Sequence, residues 1–382
     1  MEQYTQNETL RIAKRYQNAK RSYLLVNPLQ AKHIPVSPTQ SLHMMETLGQ
    51  RIAGKYPGAK MVIGFAETAT AIGAVVAGCL GDDCLYVQTT RETFPTASSW
   101  FDFAEEHSHA VEQRLCQEGF GTWLNQTEVV VLVDDEISTG KTLINMVNQI
   151  KTAFPQLSEK TVVAASVLNR VSEENQKKLT TAGIVCEYLV QLPQDDYTAM
   201  VESFQVQEGR IVEPVHLSMR HRQMNCQHHA DPRTGVTMQT YLRDCRELTD
   251  AFLAAVPEQQ MENQRVLVLG TEECMFPALL LGKKLEERMQ NGSVYCHATT
   301  RSPIGICEES NYPIQSGWRL PSFYDSDRVT YLYNLQAYDT VIVVSDTPVE
   351  GLDALEALAA ALNLQPDTKL FYLQGGQNVW YV

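Results

Sequence analysis

The chain has 382 residues, of which 44% are hydrophobic and 20% charged, a composition typical of folded proteins. This length favours two domains, and the formal net charge of −14 argues against a general nucleic-acid or anionic-membrane binder. The first residues, MEQYTQNET, lack a secretory signal pattern, and the longest apolar-rich run, 69–80, is too short for a membrane span. We therefore expect a cytoplasmic protein. Nine scattered cysteines, none spaced for a zinc or redox motif, are expected to be reduced and mostly buried.

Apolar runs alternate with helical patterns through the first half of the chain, as in a mostly parallel sheet covered by helices on both faces. Strands are predicted at 22–26, 60–65, 84–89, 128–133, 161–168 and 184–191. A helix is predicted at 39–55, where Leu42, Met45, Leu48 and Ile52 recur at helical spacing. The fold class expected for residues 1–205 is therefore α/β.

The alternation breaks at 206–246, a stretch rich in arginine and histidine that we interpret as a basic linker or a hood over a site. It then resumes, with strands predicted at 265–269, 294–298, 340–344 and 369–373 and helices at 276–289 and 352–363. Residues 247–382 are therefore expected to form a second α/β domain.

The run VVVLVDDEISTGKT, at 129–142, joins an apolar strand, two acids and a small-residue loop that opens a helix. Amides at a helix start have no partner within the helix and, with the helix dipole, suit a phosphate monoester. The residues expected to bind that phosphate are Ser138, Thr139, Gly140, Lys141 and Thr142. Successive strand residues point to opposite sides, so at least one of Asp134 and Asp135 can accept hydrogen bonds from ribose hydroxyls, while the other can hold metal-bound water.

This run resembles the phosphoribosyl-pyrophosphate (PRPP) signature of type I phosphoribosyltransferases. Two other interpretations compete with that resemblance. A nucleoside-triphosphatase P-loop also contains GKT, but it needs a glycine five residues before Gly140, where this chain has Asp135. The other alternative is a purely structural strand that ends in two aspartates.

A second loop, in GFAETATAIG at 64–73, follows a predicted strand and opens a helix where this enzyme class has its pyrophosphate loop. Its candidate binding residues are Ala66, Glu67, Thr68 and Ala69, whose small side chains let backbone amides approach a diphosphate. By analogy with the family, a strained and even cis peptide bond is expected near Glu67. A plain tight helix start is the alternative.

The connection TTRETFPTASSWFDFAEEHSHA, at 89–110, is interpreted as a mobile lid. Phosphoribosyl transfer needs cations on the departing pyrophosphate and exclusion of water, and Arg91, His107 and His109 are the catalytic candidates. Alternatively, Arg91 pairs with an acidic neighbour and the histidines cap a helix. Lys32 and His33 are expected either to contact ligand or to lie in a turn.

Five segments together, KHIPVSP, GFAETATAIG, YVQTTRE, EEHSHA and VDDEISTGKT, resemble the orotate-phosphoribosyltransferase-like family of bacterial tellurium-resistance and stress-response gene clusters. TTRSP at 299–303 resembles the motif that names the Thr-Arg-Ser-Pro (TRSP) domain found C-terminal to that enzyme. The resemblance implies a type I phosphoribosyltransferase fold followed by a TRSP domain. This sequence lacks the lysine-rich catalytic loop of orotate enzymes, which puts orotate itself in doubt.

The resemblance further implies transfer of phosphoribose between PRPP and a base-like acceptor, in synthesis of a nucleoside-like metabolite. Mg²⁺ would be held largely by the diphosphate, with Asp134 or Asp135 reaching it through water. Type I enzymes are often dimers, so a homodimer is a further expectation. Two rivals stay open: a PRPP- or nucleotide-sensing regulator without turnover, and a scaffold for a multi-enzyme assembly.

The two halves of the chain contain similar motifs in the same order, which raises the hypothesis of an internal duplication whose second copy is degenerate. Arg91 lies 43 residues before Asp134, and Arg301 lies 45 before Asp346. Arg301 and Asp346 are therefore candidates for a second ligand site, although Arg301 can equally anchor an interdomain salt bridge. Convergent strand and turn chemistry is the alternative to duplication, and different strand orders would exclude duplication.

The cluster HRQMNCQHH, at 221–229, favours a basic loop over phosphates rather than a metal site.

Overall fold

The computed structural model describes residues 4–18, 22–92, 97–103, 113–224, 226, 230–256, 258–347, 349, 351–364, 367–375 and 378–382. The chain divides into two compact units that interleave along the sequence. The first comprises Met1–Gln6, His43–Gln194 and Ala230–Arg243, and the second comprises Asn7–Leu42, Asp195–His229 and Asp244–Val382. This division differs from the contiguous one that the sequence predicts. Residues 7–42 and 195–229 belong with the C-terminal part of the chain, and residues 230–243 belong to the first unit.

Strands and helices alternate along the first half of the chain. The strands are β1 Arg11–Lys14, β2 Tyr23–Val26, β3 Ala59–Gly64, β4 Leu85–Gln88, β5 Trp100–Phe103, β6 Gln113–Cys116, β7 Val129–Ile137, β8 Thr161–Asn169 and β9 Ile184–Gln191. The helices are α1 Gln6–Thr9, α2 Pro38–Lys55, α3 Thr70–Leu80, α4 Phe120–Leu124, α5 Lys141–Ala153, α6 Glu173–Thr181 and α7 Thr198–Glu202.

The second half continues the same alternation. Its strands are β10 Arg210–Ile211, β11 Arg220–Gln223, β12 Val236–Thr237, β13 Gln264–Gly270, β14 Gly292–Ala298, β15 Gly317–Pro321, β16 Val329–Tyr333, β17 Thr340–Ser345, β18 Lys369–Gln374 and β19 Asn378–Tyr381. Its helices are α8 Met238–Ala255, α9 Phe276–Arg288 and α10 Leu352–Ala361. Within the described ranges, no helix combines the length and the apolar character needed to cross a bilayer.

The first unit is built on a six-stranded sheet of order β12-β4-β3-β7-β8-β9, in which only β12 runs antiparallel. The α/β prediction is therefore confirmed, and the central strands are apolar because both of their faces are covered. The strand predicted at 22–26 forms as β2, but it pairs with β1 in a separate two-stranded sheet of the second unit. In the parallel sheet, β3, β4 and β7 all end at one edge, where ligands bind in folds of this type.

The close approach of α3 to β3 fixes the turn between them. A Cβ atom added at Gly73 in α3 would lie 2.8 Å from the Cα atom of Gly64, the last residue of β3. No larger side chain fits there without moving the helix. Glycine at this position therefore sets where the loop at residues 65–69 lies.

The second unit contains a second α/β sheet, of order β11-β19-β18-β17-β13-β14. Its strands β14, β13, β17 and β18 are parallel, while β19 and β11 are antiparallel. The order β14-β13-β17-β18 repeats the order β4-β3-β7-β8 of the first unit, including the position of each echoed motif. An internal duplication requires this agreement, and the hypothesis passes that test.

Side chains from one face of the second sheet pack with helix α10 in a closed core. Leu267, Val341, Leu355 and Tyr372 are among its fully buried members. All nine cysteines of the chain are free and seven of them are buried, as the scattered spacing predicts.

Candidate functional site

Strand β7 carries the acidic pair of the candidate site. Its first five residues are buried, whereas Asp134, Asp135 and Glu136 are half-buried. The sequence predicts that the strand ends at residue 133, but β7 continues to Ile137 because its pairing with β8 persists through Ile137. The acids therefore lie on the strand itself, at the edge of the sheet where β3 and β4 also end.

The two aspartates interact directly. The backbone N–H of Asp135 donates a hydrogen bond of 2.9 Å to Oδ1 of Asp134. Burial raises the pKa of Asp134 well above its usual value, and the charges of Asp135 and Glu136 raise it further. Asp134 therefore gains a proton more readily than an ordinary aspartate, which separates its chemistry from that of its neighbour.

Thr68 joins the loop after β3 to the acidic pair. Its hydroxyl donates a hydrogen bond of 2.8 Å to Oδ1 of Asp135. The two loops that the sequence assigns to one ligand thus lie in direct contact. The peptide bond between Ala66 and Glu67 is cis, as the family resemblance predicts.

Two amides of this loop are engaged within the protein. The N–H of Ala66 donates to Oγ1 of Thr89 at 2.8 Å, and the N–H of Ala69 donates to the carbonyl of Phe65 at 3.0 Å. The amides of Ala66 and Ala69 are therefore already engaged, and the binding roles predicted for the four loop residues stay predictions.

Sequence reasoning missed Thr89, which fixes the loop from the side. Its hydroxyl accepts the amide of Ala66 and donates to Oε1 of Gln113, 2.7 Å away, at the start of β6. The available signal was the repeated Thr-Thr-Arg triplet, at 89–91 and 299–301.

The loop expected to bind phosphate lies at the start of α5. Ser138 and Thr139 are exposed, as are Lys141 and Thr142 in the first helical turn. Gly140 precedes the helix in a left-handed conformation with φ of 71°, and a Cβ there would lie 2.7 Å from Leu179 Cδ2. Because first-turn amides have no partner within the helix, this exposed loop suits an anion.

The predicted lid is in part a β-hairpin. β5 and β6 pair antiparallel, and the segment between them, which includes His107 and His109, lies outside the described residues. Arg91 is exposed just after β4, at the same sheet edge as the acids.

Lys32 and His33 belong to the second unit. Lys32 is fully buried, and its Nζ donates to the carbonyls of Glu272 at 2.7 Å and Thr299 at 2.9 Å. Lys32 therefore lies in a bent segment, as one of its two alternatives predicts, but inside the protein, and its contact with a ligand stays a prediction. A fully buried ammonium needs such partners, and the two carbonyls supply them.

Arg301 and Asp346 both have partners inside the second unit. Nε of Arg301 donates to Oε2 of Glu272 at 2.7 Å, so this arginine makes an ion pair within one unit rather than an interdomain bridge. The hydroxyl of Tyr324 donates to Oδ1 of Asp346. The two residues thus lie on loops of one sheet, as the predicted second site requires.

The basic cluster at 221–229 is only partly described. β11 is an exposed edge strand, and His221 stacks on Trp380 with ring centroids 4.6 Å apart. His228 and His229 lie outside the described residues. Of the residues that the structure describes, none form a group of three or more metal-ligating side chains.

The carboxylate oxygens of the first site meet part of what Mg²⁺ needs from a protein site. Mg²⁺ prefers oxygen ligands and usually keeps several waters, with one or two carboxylates beside substrate phosphates. The adjacent carboxylates of Asp134 and Asp135 supply oxygen donors of that kind, although the raised pKa of Asp134 weakens that residue as an anionic ligand.

Comparison with known proteins identifies two domains. Residues 9–192 match a family model described as phosphoribosyl transferase, and residues 231–362 match one described as "TRSP domain C terminus to PRTase_2". No curated protein matches the chain.

Solved structures with similarity to the chain include three phosphoribosyltransferases. The adenine enzyme of Giardia lamblia, complexed with 9-deazaadenine, is 14% identical, with a TM-score of 0.34 over 48% of this chain and 93% of its own. The adenine enzyme of Rhodothermus marinus is 15% identical, with a TM-score of 0.35 over 49% and 96%. The orotate enzyme of Aeropyrum pernix is 16% identical, with a TM-score of 0.31 over 47% and 88%.

Proposed function

We propose that the chain transfers phosphoribose between PRPP and a base-like acceptor, which is supported by the matches of residues 9–192 to a phosphoribosyl transferase family model and of residues 231–362 to a TRSP domain model. Pyrophosphate is the co-product. The direct product keeps the 5-phosphate and is nucleotide-like, as a step in the synthesis of a nucleoside-like metabolite, in keeping with the tellurium-resistance and stress-response setting that the resemblance implies.

The contact between Thr68 and Asp135 carries this proposal. It joins the loop proposed for the diphosphate to the strand proposed for the ribose, at 2.8 Å. PRPP carries its diphosphate and its ribose hydroxyls on adjacent atoms of one sugar. A site for PRPP therefore needs the diphosphate loop and the acidic strand side by side. A strand that merely ended in two acids would need no such partner.

Each loop has a role in the proposed reaction. The bond between the ribose C1 and the diphosphate oxygen breaks while a bond from C1 to the acceptor forms, and negative charge builds up on the departing diphosphate. Asp135 holds the ribose hydroxyls, and the loop at 138–142 holds the 5-phosphate. Arg91 stabilises the leaving diphosphate, with His107 and His109 as further candidates.

Asp134 has a different role because of its raised pKa. In its protonated form, the Asp134 carboxyl can donate a hydrogen bond to the sugar, which an ionised carboxylate cannot do. Bound Mg²⁺ would neutralise diphosphate charge, with Asp135 reaching it directly or through water.

The test measures pyrophosphate release by the full chain with PRPP, Mg²⁺ and a panel of adenine, guanine, uracil and orotate. Release above the base-free rate, reduced at least tenfold in Asp135→Asn, supports the proposal. Asp83→Asn is the matched control, because Asp83 is exposed and its carboxylate pairs with Lys60 at the surface. PRPP binding without release for any base favours the sensing regulator, and no PRPP binding refutes both.

A further inference from the structure

The second unit repeats the local geometry of the proposed diphosphate loop. In the first unit, the N–H of Ala66 donates to Oγ1 of Thr89 at 2.8 Å. In the second, the N–H of Glu272 donates to Oγ1 of Thr299 at 2.9 Å. Both acceptors are the first threonine of a Thr-Thr-Arg triplet, so Glu272 occupies the position of Ala66.

The hairpins β5–β6 and β15–β16 make matching backbone hydrogen bonds with the two Thr-Thr-Arg triplets. Thr90 exchanges two backbone hydrogen bonds with Arg114, of 2.9 and 2.8 Å, and Thr300 exchanges two with Tyr331, of 2.9 and 2.7 Å. Each partner lies on the second strand of a hairpin, β6 or β16. The agreement therefore extends beyond strand order to individual hydrogen bonds.

The loop after the acidic residue also has the same length in both units. Gly140 lies five residues after Asp135, and Gly351 lies five after Asp346. Both glycines precede a helix in the left-handed conformation, with φ of 71° and 63°. The second unit has therefore kept the length of the loop, but the sequence TPVE replaces EIST within it.

The Glu272 carboxylate is held as a bound anion would be. It is fully buried, and it accepts from Nε of Arg301 at 2.7 Å and from Nη2 of Arg328 at 3.0 Å. The hydroxyl of Ser322 contacts the other carboxylate oxygen. Two guanidinium groups and a hydroxyl on one oxyanion form the kind of set that binds phosphate groups.

Lys32 fixes this arrangement from below the loops. Its buried ammonium bonds the carbonyls of Glu272 and Thr299, the two residues that the Glu272 amide already joins. The backbone of Glu272 is also left-handed, with φ of 45°, a conformation that non-glycine residues seldom adopt. These contacts hold the carboxylate in place before any ligand arrives.

We propose that the second unit is a phosphoribosyltransferase-like copy whose diphosphate position is filled by the carboxylate of Glu272, so that the chain carries a single PRPP site. The inference rests on the proposed function of the first unit for its assignment of the diphosphate loop. The second crevice then accepts only ligands without a diphosphate. In the sequence, a glutamate at 350 stands where the first unit has Thr139.

Stoichiometry in the intact chain is the first test. Calorimetric titration with PRPP and Mg²⁺ is expected to give one site per chain, lost in Thr139→Glu, which copies the second unit's acid into the first. Two sites per chain would overturn the inference and leave the proposed function standing. A single site that survives Thr139→Glu but is lost in Arg301→Ala would overturn both.

The second test restores the first unit's residue by Glu272→Ala in the Thr139→Glu background, with inorganic pyrophosphate and Mg²⁺ as probe. Removing the carboxylate leaves two arginines for the probe, which is expected to raise the variant's Tm by about 5 °C near saturation. The Thr139→Glu parent should show no such rise. Glu356→Gln, another second-unit glutamate with a partner in His216, is the matched control and should show none either.

The two tests fail separately. A folded Glu272→Ala protein that gains no pyrophosphate binding overturns the inference, whatever the first unit does. If the variant does not fold, the stoichiometry of the intact chain decides. If the intact chain binds no PRPP, the proposed function fails, and the gain of pyrophosphate binding still tests the second unit.

Discussion

The hydroxyl of Thr68 lies 2.8 Å from Oδ1 of Asp135, and this hydrogen bond ties a loop after one strand to an acid on the next. A hydrogen bond to a charged group contributes about 1.5–3 kcal/mol. Its loss would remove one link between the loop at 65–69 and β7, although the N–H of Phe65 still donates to the carbonyl of Val133 at 2.9 Å, and would change the angle at which Asp135 meets a ligand.

Thr68→Val is therefore expected to lower kcat/KM for PRPP roughly 10- to 100-fold. The measurement is steady-state pyrophosphate release at varied PRPP. Thr152→Val is the control, because that exposed hydroxyl bonds only the carbonyl of Asn148 in its own helix. Equal kinetics for both variants would remove the contact from the mechanism.

Asp134→Asn is expected to lower activity while raising stability at neutral pH. The folded state raises the pKa of Asp134, so the proton binds more tightly there than in the unfolded chain. Stability from this group is then fully present below the ordinary pKa near 3.8, and it falls as pH rises toward the folded pKa. Asparagine removes that loss.

Thermal melts across pH check the sign of this effect. The Tm advantage of Asp134→Asn over the parent should be largest near pH 7 and shrink as the pH approaches 4. An advantage that is constant with pH, or that grows toward low pH, contradicts a raised pKa. Turnover measured alongside should fall at pH 7 even as the Tm rises.

Gly140→Ala is expected to destabilise the first unit by about 1–2 kcal/mol, because alanine resists the left-handed conformation. A Cβ would also displace the side chain of Leu179. Gly54→Ala is the matched control, since a Cβ there meets nothing within 4 Å and alanine favours the helix α2. Urea unfolding of both variants gives the comparison, and equal midpoints would contradict the argument.

Arg91→Ala is expected to lower kcat about 100-fold with little change in Tm, because this exposed side chain stabilises charge that develops during the reaction. Arg210→Ala, which removes an arginine that is 72% exposed in the second unit, should change neither. A large fall in Tm with unchanged kcat would favour the alternative that Arg91 makes a structural ion pair.

The sequence predicted the parallel strands of both sheets well, because their continuous apolar runs have few other interpretations. It missed the antiparallel strands β11, β12 and β19. It placed the end of β7 too early, since two aspartates after a buried run are the usual sign of a strand end, while the pairing with β8 that extends the strand is a long-range property. The positions of the two candidate loops followed from the same runs.

Long-range contacts could not be predicted from local pattern. The fully buried Lys32 looked like a surface residue, because lysine is seldom buried without partners and its partners lie 240 and 267 residues away. Thr89 was missed for the same reason: its role depends on Ala66 and Gln113, which no spacing rule connects to it.

The interleaved units have a consequence for how the polypeptide matures. Residues 7–42 belong to the second unit, whose other parts begin at 195 and 244. During synthesis these residues therefore cannot pack with the rest of their unit until nearly the whole first unit has been made. Val36, for example, pairs with Cys296. A fragment cut at residue 205 would keep these early segments but lose the strands that cover them, and its apolar side chains would favour aggregation.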